Sequence, residues 1–182
     1  MFQLRMNVRR GEYIDYYGLE DGEIMENKIF YTFNGYMKKD DNFLTASMED
    51  YLEMIYRLSV NTGFTRINIL SQALNVQPPS TTKMVQHLAN LQLVKYEKYG
   101  VITLEEKGKE VGARLLKRHN TIENFMRLLG VGDEKVLEET EKIEHMLSDE
   151  TIKCFEDYME FMKNEPDLLN RYRAFQDNRK NT

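Results

Sequence analysis

The stretch that decides the fold runs from residue 78 to residue 108 and reads PPSTTKMVQHLANLQLVKYEKYGVITLEEKG. Its first half has apolar residues at helical spacing, and its two prolines are tolerated in the first turn of a helix. Its second half has two short β-prone runs on either side of Tyr99-Gly100, which is typical of a hairpin. The stretch therefore predicts a helix followed by a two-stranded wing.

The residues before this stretch supply the rest of a winged helix-turn-helix. In TASMEDYLEMIYRLS, residues 45–59, apolar residues recur at helical spacing and either Thr45 or Ser47 is a candidate N-cap. NILSQALNV, residues 68–76, predicts a short helix capped by Asn68. This DNA-binding motif consists, in order, of a helix, a short helix, a turn, a helix and a hairpin. We expect it to form one domain over residues 44–118, in a protein that is mainly α.

Helical spacing continues behind the wing. A long helix is expected from Glu105 to Leu129, where Gly130 stops it. DEKVLEETEKIEHML and DETIKCFEDYMEFM predict two more helices, and Pro166 is expected to start a last one. The apolar stripes of these helices exceed what one small domain can cover, and a second copy of the chain would cover them. Residues 119–182 are therefore expected to form a helical dimerisation domain, with Cys154 interpreted as a buried structural cysteine.

Residues 1–43 differ from the rest of the chain. FQLRMNV and KIFYTFNGY alternate between apolar and polar residues, which predicts two short strands. Two strands alone are marginal in water, so we expect a small β element packed against the helical body or a partner subunit. The alternatives are a flexible tail, or a shorter product that starts at Met37 or Met48.

Charge is unevenly distributed over the 182 residues. The net charge is −5 in total, but it is −2 over residues 1–44, +3 over residues 45–118 and −6 over residues 119–182. A basic segment beside an acidic one suggests a nucleic-acid-binding module joined to another domain. The sequence has one cysteine and no apolar run long enough to span a bilayer, which favours the cytoplasm and no membrane partner.

The last domain contains a partial metal site. Glu141, Glu144 and His145 fall within an arc of about 100° on one helical face. The alternative is a solvated acidic face beside a chance histidine. Asp50 and Glu53 share a face of the first helix, where acidic residues also complement the helix dipole. His119, in the middle of the long helix, is one more candidate ligand.

Together these motifs resemble a known family. SMEDYLEMIY, PPSTTKMVQHL, YEKYGVITLEEKGKEVG, RHNTIENF and IEHMLS occur in the order found in the diphtheria toxin repressor family, and they look most like its manganese transport regulator branch. The resemblance covers about residues 44–163 and excludes residues 1–43. It also excludes the SH3-like third domain of longer members, for which this chain has no room.

The resemblance implies a set of metal ligands, two Mn²⁺ ions per subunit and no organic cofactor. The ligands would be Asp50, Glu53, His119, Glu141, Glu144 and His145. The iron branch places Met and Cys where this chain has Asp50 and Glu141. Carboxylate and imidazole ligands suit Mn(II), whereas soft sulfur ligands favour other metals. Two histidines argue against magnesium and calcium; Fe²⁺ is the alternative.

The predicted helix at residues 78–90 and the wing supply candidate DNA contacts. Side chains opposite the apolar stripe of the helix are expected to face the major groove, and those around the wing are expected to contact phosphates. The first set is Ser80, Thr82, Lys83 and Gln86, and the second is Lys95, Lys98 and Tyr99. His87 is expected to lie at the surface or to face DNA.

We therefore predict a homodimeric, Mn(II)-responsive regulator that binds a palindromic operator and represses metal-uptake genes. One alternative is a winged-helix regulator that senses an organic ligand, or an iron-responsive member of the same family. A di-metal hydrolase would need a nucleophile and a substrate cleft, and no such motif appears, so we do not expect an enzyme. A metal buffer without DNA function would not explain the basic middle segment.

Overall fold

The computed structural model of the chain describes residues 13–14, 29–30 and 44–180. The chain divides into two compact units, Met1–Phe43 and Leu44–Thr182. Seven helices and five strands are described in these residues. In chain order they are β1 (Tyr13–Ile14), β2 (Ile29–Phe30), α1 (Ala46–Ser59), β3 (Thr65–Arg66), α2 (Ile67–Ala73), α3 (Pro78–Asn90), β4 (Val94–Tyr96), β5 (Val101–Leu104), α4 (Glu106–Leu128), α5 (Asp133–Ile143), α6 (Asp149–Asn164) and α7 (Pro166–Lys180).

The first unit contains one pair of strands among its described residues. β1 and β2 are antiparallel, with Tyr13 opposite Phe30 and Ile14 opposite Ile29. β2 lies within the predicted segment KIFYTFNGY, and β1 lies beyond FQLRMNV, which is outside the described residues. The predicted packing of this element against the helices stays a prediction.

Helix α1 starts at its predicted cap and builds the core of the second unit. The Thr45 hydroxyl accepts a hydrogen bond from the amide of Met48 at 3.3 Å, which satisfies a free donor of the first turn. Leu52 and Ile55 are fully buried. They join a cluster with α2, α3 and the wing that includes Leu70, Val85, Leu88, Leu93 and Ile102.

Helix α2 begins two residues earlier than predicted. Arg66 is its N-cap, in extended backbone and without a side-chain cap. The prediction that Asn68 caps this helix was wrong. Arg66 pairs with Val101 in the sheet, so β3 runs directly into the helix and leaves no room for a capping turn.

The predicted two-stranded wing is present as β4 and β5. β3 also pairs with β5, which gives a three-stranded antiparallel sheet in the order β3-β5-β4. A 3₁₀ turn, Lys98–Gly100, joins β4 to β5. Tyr99 has a φ of +64° and Gly100 a φ of +73°, so two successive residues adopt the left-handed conformation of tight hairpins. The Arg66 guanidinium donates to the carbonyl of Tyr99 at 3.3 Å and ties β3 to the wing tip.

A close backbone approach fixes α4 beside the wing. A Cβ on Gly108 would lie 1.9 Å from the carbonyl oxygen of Leu93, which is nearer than any side chain can come. That carbonyl also accepts a hydrogen bond from the Glu105 amide at 3.0 Å. The long helix therefore starts at a defined position against the DNA-binding motif.

The C-terminal helices pack on the second half of α4. The rings of Phe125 and Phe155 stack at 4.0 Å between α4 and α6. Gly130, with a φ of +85°, ends α4 as predicted. Cys154 is exposed, so the expectation that it is buried was wrong in the single chain. None of the helices in the described part of the chain is long and apolar enough to cross a membrane.

Candidate metal centre

Three parts of the chain meet at the predicted metal site. Helix α1 presents Glu49, Asp50 and Glu53 from its first turns, and α4 presents His119 from its middle. Glu144 is the C-cap of α5, and His145 lies in the turn after it. The prediction that both lie on one face of a continuous helix was wrong, because α5 ends at Ile143. The turn nevertheless keeps the two side chains together and brings them to α1.

A first group of candidate ligands is wholly buried, and we call Glu53, His119 and Glu144 the inner group. Nδ1 of His119 lies 2.9 Å from Oε2 of Glu144 and 3.9 Å from Oε1 of Glu53. His119 and Glu144 are each 2% exposed, and Glu53 is 6% exposed. One imidazole nitrogen therefore faces two carboxylates in a place with little access to water.

A second group lies at the rim, and we call Asp50, Glu144 and His145 the outer group. Nε2 of His145 lies 2.7 Å from Oδ1 of Asp50 and 3.5 Å from Oε1 of Glu144. Glu144 belongs to both groups, with Oε2 toward His119 and Oε1 toward His145. A single buried carboxylate thus joins the two clusters.

The sixth predicted ligand, Glu141, is close to the site but belongs to neither group. Its Oε1 lies 3.7 Å from Nδ1 of His119, and half of its side chain is exposed. Burial, followed by the neighbouring Glu144 carboxylate, raises the pKa of Glu141. The structure thus places Glu141 at the opening of the site.

Sequence reasoning missed three charged residues that line the site. Oε2 of Glu49 lies 2.7 Å from Nδ1 of His145, and Arg118 donates to that oxygen at 2.5 Å. Arg57 forms an ion pair with Glu53. The only sequence signals were local: Glu49 precedes Asp50, Arg118 precedes His119, and Arg57 lies one helical turn beyond Glu53.

The electrostatics of the site reflect a shortage of positive charge. Burial raises the pKa of Glu53, and Glu144 adds to the rise although the Arg57 charge opposes it. Burial acts to lower the pKa of His119, but its hydrogen bond to Glu144 outweighs this and the pKa is raised. Burial also opposes the proton on His145, but Asp50 and Glu49 raise its pKa to about 10. The raised pKa values of both imidazoles favour their protonated forms, and this positive charge compensates the carboxylates.

This arrangement fits a divalent cation. Each group combines carboxylate oxygens with one imidazole nitrogen, a hard and borderline donor set. Glu49 accepts from the other nitrogen of His145, as the outer partners of metal-binding histidines do. A cation would replace the protons on the two imidazoles, which couples metal binding to proton release.

The predicted DNA contacts are mostly exposed. Ser80, Lys83 and Gln86 are exposed on α3, whereas Thr82 is half-buried and its hydroxyl donates to the carbonyl of Pro78 at 3.0 Å. At the wing, Tyr99 is 92% exposed. Lys95 is exposed and pairs with Glu105 at 3.4 Å; the side chain of Lys98 lies outside the described part of the chain.

Two family models match adjacent parts of the chain. Residues 43–102 match the iron dependent repressor N-terminal DNA binding domain, and residues 105–171 match the iron dependent repressor metal binding and dimerisation domain. A winged helix with a metal-binding helical domain defines the class of metal-dependent DNA-binding regulators. The chain belongs to the iron dependent repressor family. This confirms the resemblance to the diphtheria toxin repressor family that the sequence motifs predicted. The chain is a transcriptional regulator and not an enzyme.

Named relatives show which branch of the family the chain resembles. The HTH-type transcriptional regulator MntR of Lysinibacillus sphaericus (strain C3-41) is 42% identical over 130 residues, which is 71% of this chain and 94% of that protein. MntR of Bacillus pumilus (strain SAFR-032) is 41% identical over 132 residues, 72% of this chain and 92% of that protein. These similarities confirm the predicted resemblance to the manganese transport regulator branch.

Solved structures share the fold over part of their length. The manganese regulator SloR has a TM-score of 0.57 and 28% identity, and the match covers 65% of this chain and 55% of SloR. IdeR of T. acidophilum has a TM-score of 0.55 and 28% identity, with the same coverage of 65% and 55%. The chain thus spans about half the length of these two proteins.

The raised pKa of His145 predicts a pH-dependent stability in metal-free protein. A histidine whose folded pKa is raised from 6.5 to about 10 stabilises the fold fully below pH 6.5, and this contribution is lost as the pH rises through about 10. We expect the melting temperature to fall over this range, and the fall to be smaller in His145→Gln. Each 1 kcal/mol corresponds to about 2–4 °C in a chain of this size.

The measurement is thermal unfolding with chelator from pH 6 to pH 10. His87→Gln, which changes an exposed histidine on α3, is the matched control and should follow the unmodified chain. Parallel curves for all three proteins would show that the contacts of His145 do not stabilise its protonated form.

Proposed function

We propose that the protein is a Mn(II)-responsive repressor that binds two Mn(II) ions per subunit and, as a homodimer, a palindromic operator of metal-uptake genes. The observation that supports this most strongly is the sharing of Glu144 between the inner and outer groups. Relatives of the chain are named MntR, and a structural neighbour is a manganese regulator. We place its action in the cytoplasm, where its DNA target would lie.

The ligand residues would couple metal to DNA through α1. Asp50 and Glu53 belong to the helix that forms the core of the DNA-binding motif, whereas Glu144 and His145 lie at the end of α5 and in the turn after it. In the metal-free chain, converging carboxylates repel one another and resist desolvation. A divalent cation held by these residues would supply the missing positive charge, and the residues would then hold α1 against α4 and α5. The conformer with α1 held in this way is favoured, which is a population shift.

The choice of Mn(II) rests on the donor atoms. The inner and outer groups contain oxygen and imidazole nitrogen, and neither includes a sulfur atom among the described residues. These donors suit Mn(II), and the histidines disfavour all-oxygen cations such as Mg²⁺. Glu141 would complete the set on cation binding, since its carboxylate already lies 3.7 Å from His119. Fe(II) is the competing assignment.

The DNA-binding surface would consist of α3 and the wing. We propose that Ser80, Thr82, Lys83 and Gln86 face the major groove and that Lys95, Lys98 and Tyr99 contact the phosphate backbone. The sequence divides into proposed domains at residues 1–43, 44–118 and 119–182. Helix α3 and the wing both lie in the middle domain. Helix α4 is continuous across residue 118, so it would act as a rigid connection between DNA and metal sites.

The dimer would form through the C-terminal helices. Leu137 on α5 and Phe161 on α6 are 54% and 53% exposed, and Phe175 on α7 is 57% exposed. Large exposed apolar side chains on neighbouring helices are typical of subunit interfaces. A twofold dimer would place two copies of α3 about one turn of DNA apart, which matches a palindromic operator.

Metal titration of DNA affinity tests the proposed function. An operator selected from random DNA with Mn(II) present would be titrated at one salt concentration with no metal, Mn(II), Zn(II) and, anaerobically, Fe(II). We expect Mn(II) to tighten binding by about 5–150-fold, the usual range of coupling between sites. His119→Ala should remove the response and leave a folded dimer. Equal affinity with and without every metal would contradict the proposal, and a preference for Fe(II) would reassign the metal.

Two substitutions separate base reading from phosphate binding. Gln86→Ala should relax the base preference at one position of each half-site, at a cost of about 1–3 kcal/mol. Lys95→Ala should weaken binding to all sequences alike and reduce the salt dependence by about one unit of slope. Binding to a library of operator variants at several salt concentrations measures both effects. If the two variants change the same quantity, the assignment of α3 and the wing is wrong.

A further inference from the structure

Arg57 brings a fixed positive charge to the inner group. It lies on α1 four residues after Glu53, so the two side chains share a helical face and form an ion pair. The side chain of Arg57 is 31% exposed, whereas that of Glu53 is 8% exposed. The guanidinium thus reaches from the rim of the site to a buried carboxylate.

The ion pair engages the oxygen of Glu53 that faces the other candidate ligands. Oε1 of Glu53 contacts Arg57 and also lies 3.9 Å from Nδ1 of His119. Burial raises the pKa of Glu53, and the Arg57 charge acts to lower it. At His119, burial and the Arg57 charge both act to lower the pKa. Arg57 therefore acts on Glu53 and His119, the two residues of the inner group other than Glu144.

The guanidinium is poorly satisfied where it lies. Within the described part of the chain, its Nε atom is buried and has no hydrogen-bond partner, whereas its NH2 group contacts Oε1 of Glu53. A buried donor without a partner costs free energy, which favours movement of the guanidinium toward water. A long side chain at the rim can withdraw to solvent without disturbing the core.

The second arginine of the site is arranged differently. Arg118 binds Glu49, which belongs to neither group of candidate ligands, and approaches Nδ1 of His145 at 3.3 Å. Nε2 of His145 is the nitrogen that faces Asp50. Arg118 thus leaves the ligand atoms of the outer group free, whereas Arg57 engages one in the inner group.

We propose that Arg57 is a built-in competitor of the metal ion at the inner group. In metal-free protein its guanidinium neutralises Glu53, and it must leave Oε1 of Glu53 before a divalent cation binds there. Arg57 thereby sets the metal concentration at which the inner group fills. This inference rests on the proposed function, because it assumes that Glu53 and His119 are ligands.

Counting bound Mn(II) against free Mn(II) tests this role. Free Mn(II) would be followed by its electron paramagnetic resonance signal during titration of the chelator-treated, full-length chain at one pH. We expect Arg57→Met to bind one of its two ions about tenfold more tightly, a change of about 1.4 kcal/mol. Arg57→Lys keeps the positive charge and should stay within about twofold of the unmodified chain. Arg127→Met is the matched control, because Arg127 pairs with the glutamate four residues before it on α4.

Thermal unfolding separates competition from a structural role. Without metal, Arg57→Met should melt below the unmodified chain, because Glu53 stays buried without a counter-ion. With saturating Mn(II), its melting temperature should rise by more than that of the unmodified chain. Arg57→Gln, which is neutral but polar, provides a second variant should Arg57→Met fold poorly without metal, and it should also bind Mn(II) more tightly.

The outcomes divide clearly. Unchanged or weaker Mn(II) binding in both Arg57→Met and Arg57→Gln, while the unmodified chain binds two ions, would overturn the role of Arg57 and leave the proposed function standing. An unmodified chain that binds no Mn(II) would overturn the proposed function itself. An equal loss of melting temperature with and without metal, and no gain in affinity, would mean that Arg57 only stabilises the fold.

Discussion

The buried carboxylate of Glu144 is the constraint on which the rest of the site depends. It is 2% exposed, and its two oxygens face His119 and His145. An ionised group that loses its water costs several kcal/mol unless charges and hydrogen bonds compensate it. Without metal, Glu144 faces two imidazoles whose pKa values are raised, while Arg57 pairs with Glu53 and Arg118 with Glu49 at the same site. The centre is therefore built for more positive charge than the chain itself provides.

Helix α1 connects this constraint to the DNA-binding motif. One face of the helix buries Leu52 and Ile55 against α2 and α3, and the adjacent face presents Asp50 and Glu53 to the metal centre. In the proposed function, a rigid helix that serves both faces would transmit a change at the site to α3 and the wing. The close approach of Gly108 to Leu93 holds the start of α4 against the same motif.

Local patterns predicted the elements, and tertiary packing decided the details that were missed. The periodicity of residues 45–59 and the turn at Tyr99-Gly100 were sufficient for α1 and the wing, because spacing and turn chemistry are local. The start of α2 depends on the pairing of Arg66 with Val101, and the end of α5 on the turn that carries His145. Arg118 meets Glu49 across 69 positions of sequence, a contact that no local pattern reveals. Helical spacing singled out most of the candidate ligands, family likeness combined six of them into one predicted set, and the structure groups five of the six.

The stoichiometry of Mn(II) in three proteins tests most directly whether Glu144 joins two metal groups. Equilibrium dialysis followed by metal analysis would compare the unmodified chain with Asp50→Ala, which removes a residue of the outer group alone, and Glu144→Gln, which changes the shared carboxylate. If Glu144 joins the two groups, the unmodified chain binds two ions, Asp50→Ala binds one and Glu144→Gln binds none. Retention of one or two ions by Glu144→Gln would contradict it, because the inner and outer groups would then be independent of Glu144.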